Sequence, residues 1–200
     1  PEEFGLVASA SVFFAFLGIF SEVGLGAAVI QKKSTTTSFV NTAFFLTSIL
    51  GVALTAVSWF SARPVSNFFR NDDLIGIVQA LSVVIFIGNL GVVPRSILAK
   101  ELDFKRIMVV NLFSYAFGYG TVSITMAAMG FGAWSIVFAR IGQTTLSSIM
   151  LLIMKPQRIV FKHTISDFKR IVSFGGGLTL SRIFNTLSEQ GDYIVIGRFL

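Results

Sequence analysis

The stretch AWSIVFARIGQTTLSSIMLLIM, residues 133–154, is mostly apolar and has Arg140 and Gln143 near its middle. A bilayer core about 30 Å thick needs roughly 20 apolar residues per helix, so this stretch is long enough to cross a membrane. If it does, the guanidinium and amide groups lie among hydrocarbon. Whether water, protein or lipid surrounds those two groups therefore bears both on the fold of the chain and on the function that this fold could have.

The overall composition is that of a membrane protein. Hydrophobic residues make up 54% of the chain, charged residues make up 13%, and the mean hydropathy is +0.79. A soluble domain with this composition would have too little polar surface to cover its core. The formal net charge of +6 does not indicate a nucleic-acid partner, because the basic residues lie between apolar runs and not on one face.

The residue types available for metal or covalent chemistry are few. The sequence contains no cysteine, which excludes disulfides and thiolate metal sites, and its single histidine, His163, disfavours an imidazole metal centre. One histidine and scattered serines do not form a recognisable triad. We therefore predict no metal site, no cofactor and no enzymatic activity.

Several further apolar segments of the sequence are about as long as the stretch at 133–154. Backbone groups in lipid must be bonded internally, and runs this long favour helices over the shorter, alternating strands of a barrel. We predict an all-α, polytopic membrane helix bundle. The predicted spans cover residues 4–30, 39–62, 74–93, 107–129 and 133–154, with a sixth, less apolar span from about 171 to 200.

Lysine and arginine are concentrated in alternate loops. Eleven lie in the loops after the first, third and fifth spans, against only Arg63 and Arg70 in the other loops. Because cytoplasmic loops carry the excess of basic residues, the loops with eleven are predicted to face the cytoplasm. The eleven are Lys32, Lys33, Arg95, Lys100, Lys105, Arg106, Lys155, Arg158, Lys162, Lys169 and Arg170. The N-terminal end is then outside, and we expect one more span before it in a longer protein.

Arg140 belongs to a polar stripe within its span. Gln143, Thr144 and Ser147 follow it at three- and four-residue spacings, which place side chains on one face of a helix. An arginine at the centre of a bilayer costs about 2.5 to 3.5 kcal/mol on insertion scales, so such residues usually face a bundle interior or a wet cavity. Snorkelling of Arg140 to the outer headgroups is the alternative.

The sixth predicted span carries a second stripe. Its members are Arg182, Asn185, Glu189 and Asp192, at intervals of three, four and three. They are expected either to line an aqueous cavity or to pair across a helix interface. Glu22, about eight residues from the inner end of the first span, could bind a proton or cation, or could accept hydrogen bonds from a neighbouring helix.

Five stretches together resemble the polysaccharide exporter and O-antigen flippase family (Wzx-like) of the multidrug/oligosaccharidyl-lipid/polysaccharide superfamily. They are FGLVA at 4–8, SEVGLGAAVIQKK at 21–33, VPRSILAKELDFKRI at 93–107, GFGAWSI at 130–136, and the run FGGGLTLSRIFNTLSEQGDYIVIGRFL at 174–200. The resemblance implies a two-lobe, MATE-like transporter fold. Residues 1–154 would be five helices of the N-terminal lobe, the second to sixth of the family. Residues 155–170 would be a cytoplasmic connection between lobes, and residues 171–200 the first, truncated helix of the other lobe.

The resemblance also implies a function. Members of this family move an undecaprenyl-diphosphate-linked oligosaccharide from the inner to the outer leaflet of the bacterial inner membrane by alternating access. Arg140 and Arg182 would then bind the diphosphate, because the planar guanidinium suits phosphate oxygens. Gln143 and Asn185 would bind the sugars, and Glu22, Glu189 or Asp192 would bind a coupling H⁺ or Na⁺.

Two other functions compete with this one. A multidrug or other lipid exporter of the same superfamily would carry an organic cation, which arginines within the membrane disfavour. A membrane polysaccharide polymerase would need a long catalytic loop with carboxylates or histidine, and the predicted loops are short.

Overall fold

The structure, a computed structural model, describes Phe14, residues 25–32 and residues 36–157. This part of the chain is helical and contains no strand. The helices are α1 (Leu25–Gln31), α2 (Thr37–Phe69), α3 (Leu74–Lys100), α4 (Phe104–Ala128) and α5 (Ala133–Met154). Within α4, an α-helix Phe104–Phe113 continues as a π-helix, Ser114–Thr121, and ends as an α-helix, Val122–Ala128.

Four helices, α2 to α5, are long and apolar enough to cross a membrane. The predicted all-α, polytopic membrane bundle is therefore confirmed. The predicted span at 4–30 is described only at Phe14 and from Leu25 onward, and the predicted span at 171–200 lies outside the described residues.

Three helices are longer than the apolar runs that predicted them. α2 ends at Phe69 instead of residue 62, α3 ends at Lys100 instead of residue 93, and α4 starts at Phe104 instead of residue 107. The assignment of five basic residues to loops was therefore wrong, since all five lie inside helices: Arg63, Arg95, Lys100, Lys105 and Arg106. The prediction ended each span near its first basic residue, whereas a helix can continue into the headgroup region, where arginine reaches water. The bounds of α5 match the predicted span at 133–154.

Local signals in the sequence explain several helix ends. The Thr36 hydroxyl accepts a hydrogen bond from the Phe39 amide at 3.3 Å and so caps the start of α2. The Asp103 carboxylate accepts from the Arg106 amide at 3.2 Å at the start of α4. Between α4 and α5 the chain turns through Gly130 and Gly132, with φ of 82° and 51°, a backbone region that glycine adopts without strain.

α3 is the central helix of the described bundle. It packs against α1 and α2 on one side and against α5 on the other, and α4 packs mainly against α5. Small residues allow close approach at these contacts: a Cβ added to Gly51 would lie 2.9 Å from Cβ of Asn89, and one added to Gly26 would lie 2.7 Å from Oγ of Ser96. Such contacts are typical of membrane helices, which associate through close packing and interhelical hydrogen bonds.

Hydrogen bonds between helices reinforce this packing. Thr55 Oγ1 of α2 donates to the Ser82 carbonyl of α3 at 3.0 Å. Ser148 Oγ of α5 donates to the Ile87 carbonyl of α3 at 2.8 Å. The two bonds hold α3 between its neighbours and thereby fix the rotation of α5, the helix that carries Arg140.

Candidate functional site: the polar face of α5

Arg140 and Gln143 lie next to each other on α5. Nη1 of Arg140 donates to Oε1 of Gln143 at 3.4 Å, at the long end of the hydrogen-bond range. The Arg140 side chain is exposed and that of Gln143 is half-buried. The prediction that these two residues share one face of a helix is confirmed, while their part in binding stays a prediction.

The exposed residues of α5 fall on two opposite sides of the helix. At 3.6 residues per turn, Phe138 and Ile149 lie roughly 160° to 180° around the axis from Arg140. These two belong to an exposed apolar side of α5 that consists of Trp134, Phe138, Ile149 and Ile153. An exposed row of aromatic and aliphatic side chains is what lipid tails require. Arg140 therefore points away from the side of α5 that suits hydrocarbon.

The depth of Arg140 makes this orientation important. It is seven residues from the start of α5 at Ala133, which is roughly 10 Å along the axis at 1.5 Å per residue. A guanidinium at that depth that faced lipid would have to reach back toward the headgroups. Its position opposite Phe138 favours the cavity interpretation over snorkelling.

The polar stripe is narrower than the spacing predicted. A Cβ added to Gly88 of α3 would lie 3.6 Å from Cγ2 of Thr144, so Thr144 packs against α3. Ser147 is half-buried and lies between Arg140 and Gln143 around the axis. The stripe on α5 consequently consists of Arg140, Gln143 and Ser147.

The backbone at Gln143 is fixed by close contact with α4. A Cβ on Gly118 of α4 would lie 2.6 Å from Cα of Gln143, and one on Gly142 would lie 2.7 Å from the Gly118 carbonyl oxygen. Only glycine allows this approach, because a methyl group on either residue would clash with backbone atoms. The Gly118 to Gly142 contact thus sets the register of α4 against α5 beside the polar stripe.

Several predicted site residues lie outside the described residues. These are Glu22, Arg182, Asn185, Glu189 and Asp192. Of the predicted connection at 155–170, the structure describes only residues 155–157. Within the described part of the chain, no group of three or more acidic or histidine residues could hold a metal ion.

The sequence analysis missed a cluster at the end of the bundle where α3 and α5 finish. Nζ of Lys155 lies 2.6 Å and 2.7 Å from the two carboxylate oxygens of Glu101. Lys100 Nζ donates to the Lys32 carbonyl, and the Lys32 ammonium lies 3.7 Å from the ring centroid of Phe39. A nearby cleft of about 320 Å³ is lined in part by Asn41, Ile97 and Lys155. Lys155 is roughly 22 Å along the axis from Arg140, so this region is separate from the polar face.

Comparison with known proteins identifies the family. The model of the family described as "Polysaccharide biosynthesis protein" matches residues 1–200. The chain belongs to this family. The resemblance to polysaccharide exporters is thereby confirmed. No solved structure matches the chain.

Curated relatives of this family member come from several bacteria. The chain is 28% identical, over 92% of its length, to teichuronic acid biosynthesis protein TuaB of Bacillus subtilis (strain 168). It is 24% identical, over 100% of its length, to succinoglycan biosynthesis transport protein ExoT of Rhizobium meliloti (strain 1021). It is 22% identical, over 99% of its length, to lipopolysaccharide biosynthesis protein WzxC of Escherichia coli (strain K12). These matches cover 38%, 40% and 40% of the three relatives, so the chain spans about two fifths of their length.

Proposed function

We propose that the chain is part of a transporter that moves an undecaprenyl-diphosphate-linked oligosaccharide from the inner to the outer leaflet of a bacterial inner membrane. The observation that carries the proposal is the contact between Arg140 and Gln143 on the side of α5 opposite its exposed apolar row. Two relatives bear names that refer to transport or lipopolysaccharide, ExoT and WzxC, which supports export of a polysaccharide precursor. In this proposal the passenger and the membrane lipids are the partners of the protein.

The chemistry of Arg140 suits the diphosphate. Its guanidinium keeps its charge and offers several N–H donors in a plane, which match the spacing of phosphate oxygens. A cavity walled by protein and hydrocarbon lowers the effective dielectric constant, so a charge-assisted hydrogen bond from Arg140 to an anion there is stronger than in bulk solvent. Gln143 both holds the guanidinium through Oε1 and retains an NH₂ group for a sugar hydroxyl.

The remaining assignments belong to the same proposal. Arg182 and Asn185 would supply a second cation and amide from the other lobe, and Glu22, Glu189 or Asp192 would bind the coupling H⁺ or Na⁺. Rocking of two lobes around a site near the middle of the membrane is the expected mechanism of such transporters. Residues 155–170 would connect the two lobes.

The two competing functions are less well supported. An exporter of organic cations would bring a positive passenger past Arg140, and like charges in a low-dielectric site repel strongly. A membrane enzyme would need space outside the bilayer for catalytic groups, and the turns at 70–73, 101–103 and 129–132 have four residues or fewer.

The proposal is tested by transport in proteoliposomes that contain the full-length protein. The assay follows the movement of fluorescent undecaprenyl-diphosphate oligosaccharide between leaflets. We expect Arg140→Ala to lower the initial rate about tenfold or more, and Arg140→Lys to restore it only in part, because lysine lacks the planar fork. Arg63→Ala is the matched control, since Arg63 is also an exposed arginine but lies near the C-terminal end of α2, outside the polar face of α5. A wild-type rate for Arg140→Ala would contradict the proposal.

A further inference from the structure

Aromatic residues in and directly before the π-helical part of α4 form two stacked pairs. The rings of Tyr115 and Tyr119 have centroids 5.4 Å apart and planes 4° apart. Those of Phe113 and Phe117 are 5.6 Å apart at 28°. The hydroxyl of Thr121 donates to the Ala116 carbonyl five residues earlier, which is the spacing of a π-helix. Residues four apart lie on one face of a helix, and π-helical segments are frequent at functional sites.

The two pairs lie on opposite sides of the contact between α4 and α5. The row of α4 that faces α5 contains the buried residues Ser114 and Gly118. Phe113 and Phe117 each precede a residue of this row, and Tyr115 and Tyr119 each follow one. Since about 100° separates successive residues of a helix, the phenylalanines flank one side of the contact and the tyrosines the other.

The tyrosine side of α4 and the Arg140 side of α5 coincide. The two helices are antiparallel, since a four-residue turn joins them, and both are right-handed. Stepping forward by one residue from the contact therefore leads to the same side of the pair on each helix. On α5 that step leads from Gly142 to Gln143, which contacts Arg140. One side of the pair formed by α4 and α5 thus carries Tyr115, Tyr119, Arg140 and Gln143. The other side carries Phe113, Phe117 and Phe138.

The depth of the tyrosines argues against lipid as their neighbour. Tyr115 stands near the middle of α4, a span of 25 residues, and its side chain is 59% exposed. Neither tyrosine hydroxyl forms a hydrogen bond with another described residue. A hydroxyl at the centre of a bilayer would lack a partner, which is why tyrosine normally lies at membrane interfaces. The exposed amide of Asn111, one turn before Tyr115, extends the same polar row.

We propose that Tyr115 and Tyr119 form a stacking platform for the sugar rings of the passenger, in a subsite beside Arg140 and Gln143. The inference rests on the proposed function and adds the position of the carbohydrate. The C–H groups on one face of a pyranose ring carry partial positive charge and pack against the negative face of an aromatic ring. The two phenol hydroxyls and the Asn111 amide then donate hydrogen bonds to sugar hydroxyls and accept hydrogen bonds from them.

The test uses the full-length protein in lipid nanodiscs and two probes. One probe is undecaprenyl diphosphate, and the other is the same lipid carrying the oligosaccharide repeat unit extracted from the cells that make the protein. We expect Tyr115→Leu and Tyr119→Leu to weaken binding of the glycosylated probe about tenfold, the order of magnitude by which loss of an aromatic partner weakens the binding of a stacked nucleobase. Binding of the bare diphosphate should stay within twofold of wild type.

Matched variants separate the ring from its surroundings. Phe113→Leu and Phe117→Leu remove the other stacked pair from the same helix, α4, and should leave both affinities unchanged. Tyr115→Phe keeps the ring and should lose less affinity than Tyr115→Leu. The proposal of a stacking platform would be overturned if Tyr115→Leu weakened the binding of both probes equally, or weakened the binding of neither. A different result would contradict the proposed transport function itself. The wild-type protein would then bind neither probe, or Arg140→Ala would leave the binding of bare undecaprenyl diphosphate unchanged.

A labelling experiment checks the surroundings of the rings without a ligand. In a full-length background without cysteine, Tyr115→Cys and Tyr119→Cys should react with a membrane-impermeant maleimide, whereas Phe113→Cys and Phe117→Cys should not. Protection at 115 and 119 from both sides of the membrane would show that another helix or lipid covers the tyrosines, and the platform would be refuted.

Discussion

Gly118 of α4 and Gly142 of α5 face each other so closely that neither has room for a side chain. A Cβ on Gly142 would lie 2.7 Å from the Gly118 carbonyl oxygen, and a Cβ on Gly118 would lie 2.6 Å from Cα of Gln143. Both obstacles are backbone atoms, which cannot move aside as the end of a side chain can. The contact joins the π-helical segment to the stripe that carries Arg140.

We therefore expect Gly118→Ala to destabilise the protein by about 1 to 3 kcal/mol, the usual cost of overpacking. Gly120→Ala is the control, because a Cβ there would meet only the Tyr115 carbonyl at 3.5 Å, an ordinary contact. Thermal unfolding in detergent, followed by circular dichroism, measures both. Equal melting temperatures for Gly118→Ala and Gly120→Ala would show that α4 and α5 do not approach in this way.

The two sides of α5 should differ in access to water. We expect cysteines at positions 140 and 143 to react with a water-soluble thiol reagent in the full-length protein, because the polar face is assigned to an aqueous cavity. Cysteines at positions 138 and 149 should not react, because Phe138 and Ile149 belong to the exposed apolar row. The same pattern of labelling at all four positions would contradict two distinct faces.

Ser148 should contribute a small, measurable stabilisation. Its hydroxyl donates to the Ile87 carbonyl across the interface between α3 and α5 at 2.8 Å. Hydrogen bonds between membrane helices average about 0.6 kcal/mol, so Ser148→Ala should lower stability by about that amount. Ser147→Ala is the matched control, since the neighbouring Ser147 hydroxyl has no hydrogen bond among the described residues. A larger loss for Ser147→Ala than for Ser148→Ala would refute the assignment.

The ion pair between Lys155 and Glu101 should be weak and sensitive to salt. The two side chains are 24% and 47% exposed, and water screens pairs of this kind. A double-mutant cycle with Lys155→Met and Glu101→Gln should give a coupling of about 1 kcal/mol or less, reduced further in 0.5 M salt. A coupling that stays the same at high salt would show that the pair is shielded from solvent.

Much of the fold could be predicted because hydrocarbon imposes a length on each span. The bounds of α5 and the start of α3 at Leu74 follow from that length together with a short turn before each, polar at 70–73 and glycine-containing at 129–132. The extra turns of α2 and α3 could not be predicted in the same way. Beyond the hydrocarbon, the cost of a charged residue falls, so Arg63 and Arg95 do not end a helix.

The candidate site was predictable only as a pattern along one helix. Spacing placed Arg140, Gln143 and Ser147 on one face, but the direction of that face depends on which side of α5 meets α3 and α4. Thr144 shows the limit, since it has the right spacing and yet packs against Gly88. Tyr115 and Tyr119 went unnoticed because spacing along α4 does not show which side of that helix meets α5.

The length of α2 has a consequence for the surface around the membrane. Its 33 residues make a rod roughly 50 Å long, while hydrocarbon and headgroups together are about 40 to 45 Å thick. At an average tilt of about 20°, the rod still exceeds that thickness. At that tilt one end of α2 would extend past the headgroups, and the bundle would present a raised protein rim on that flank.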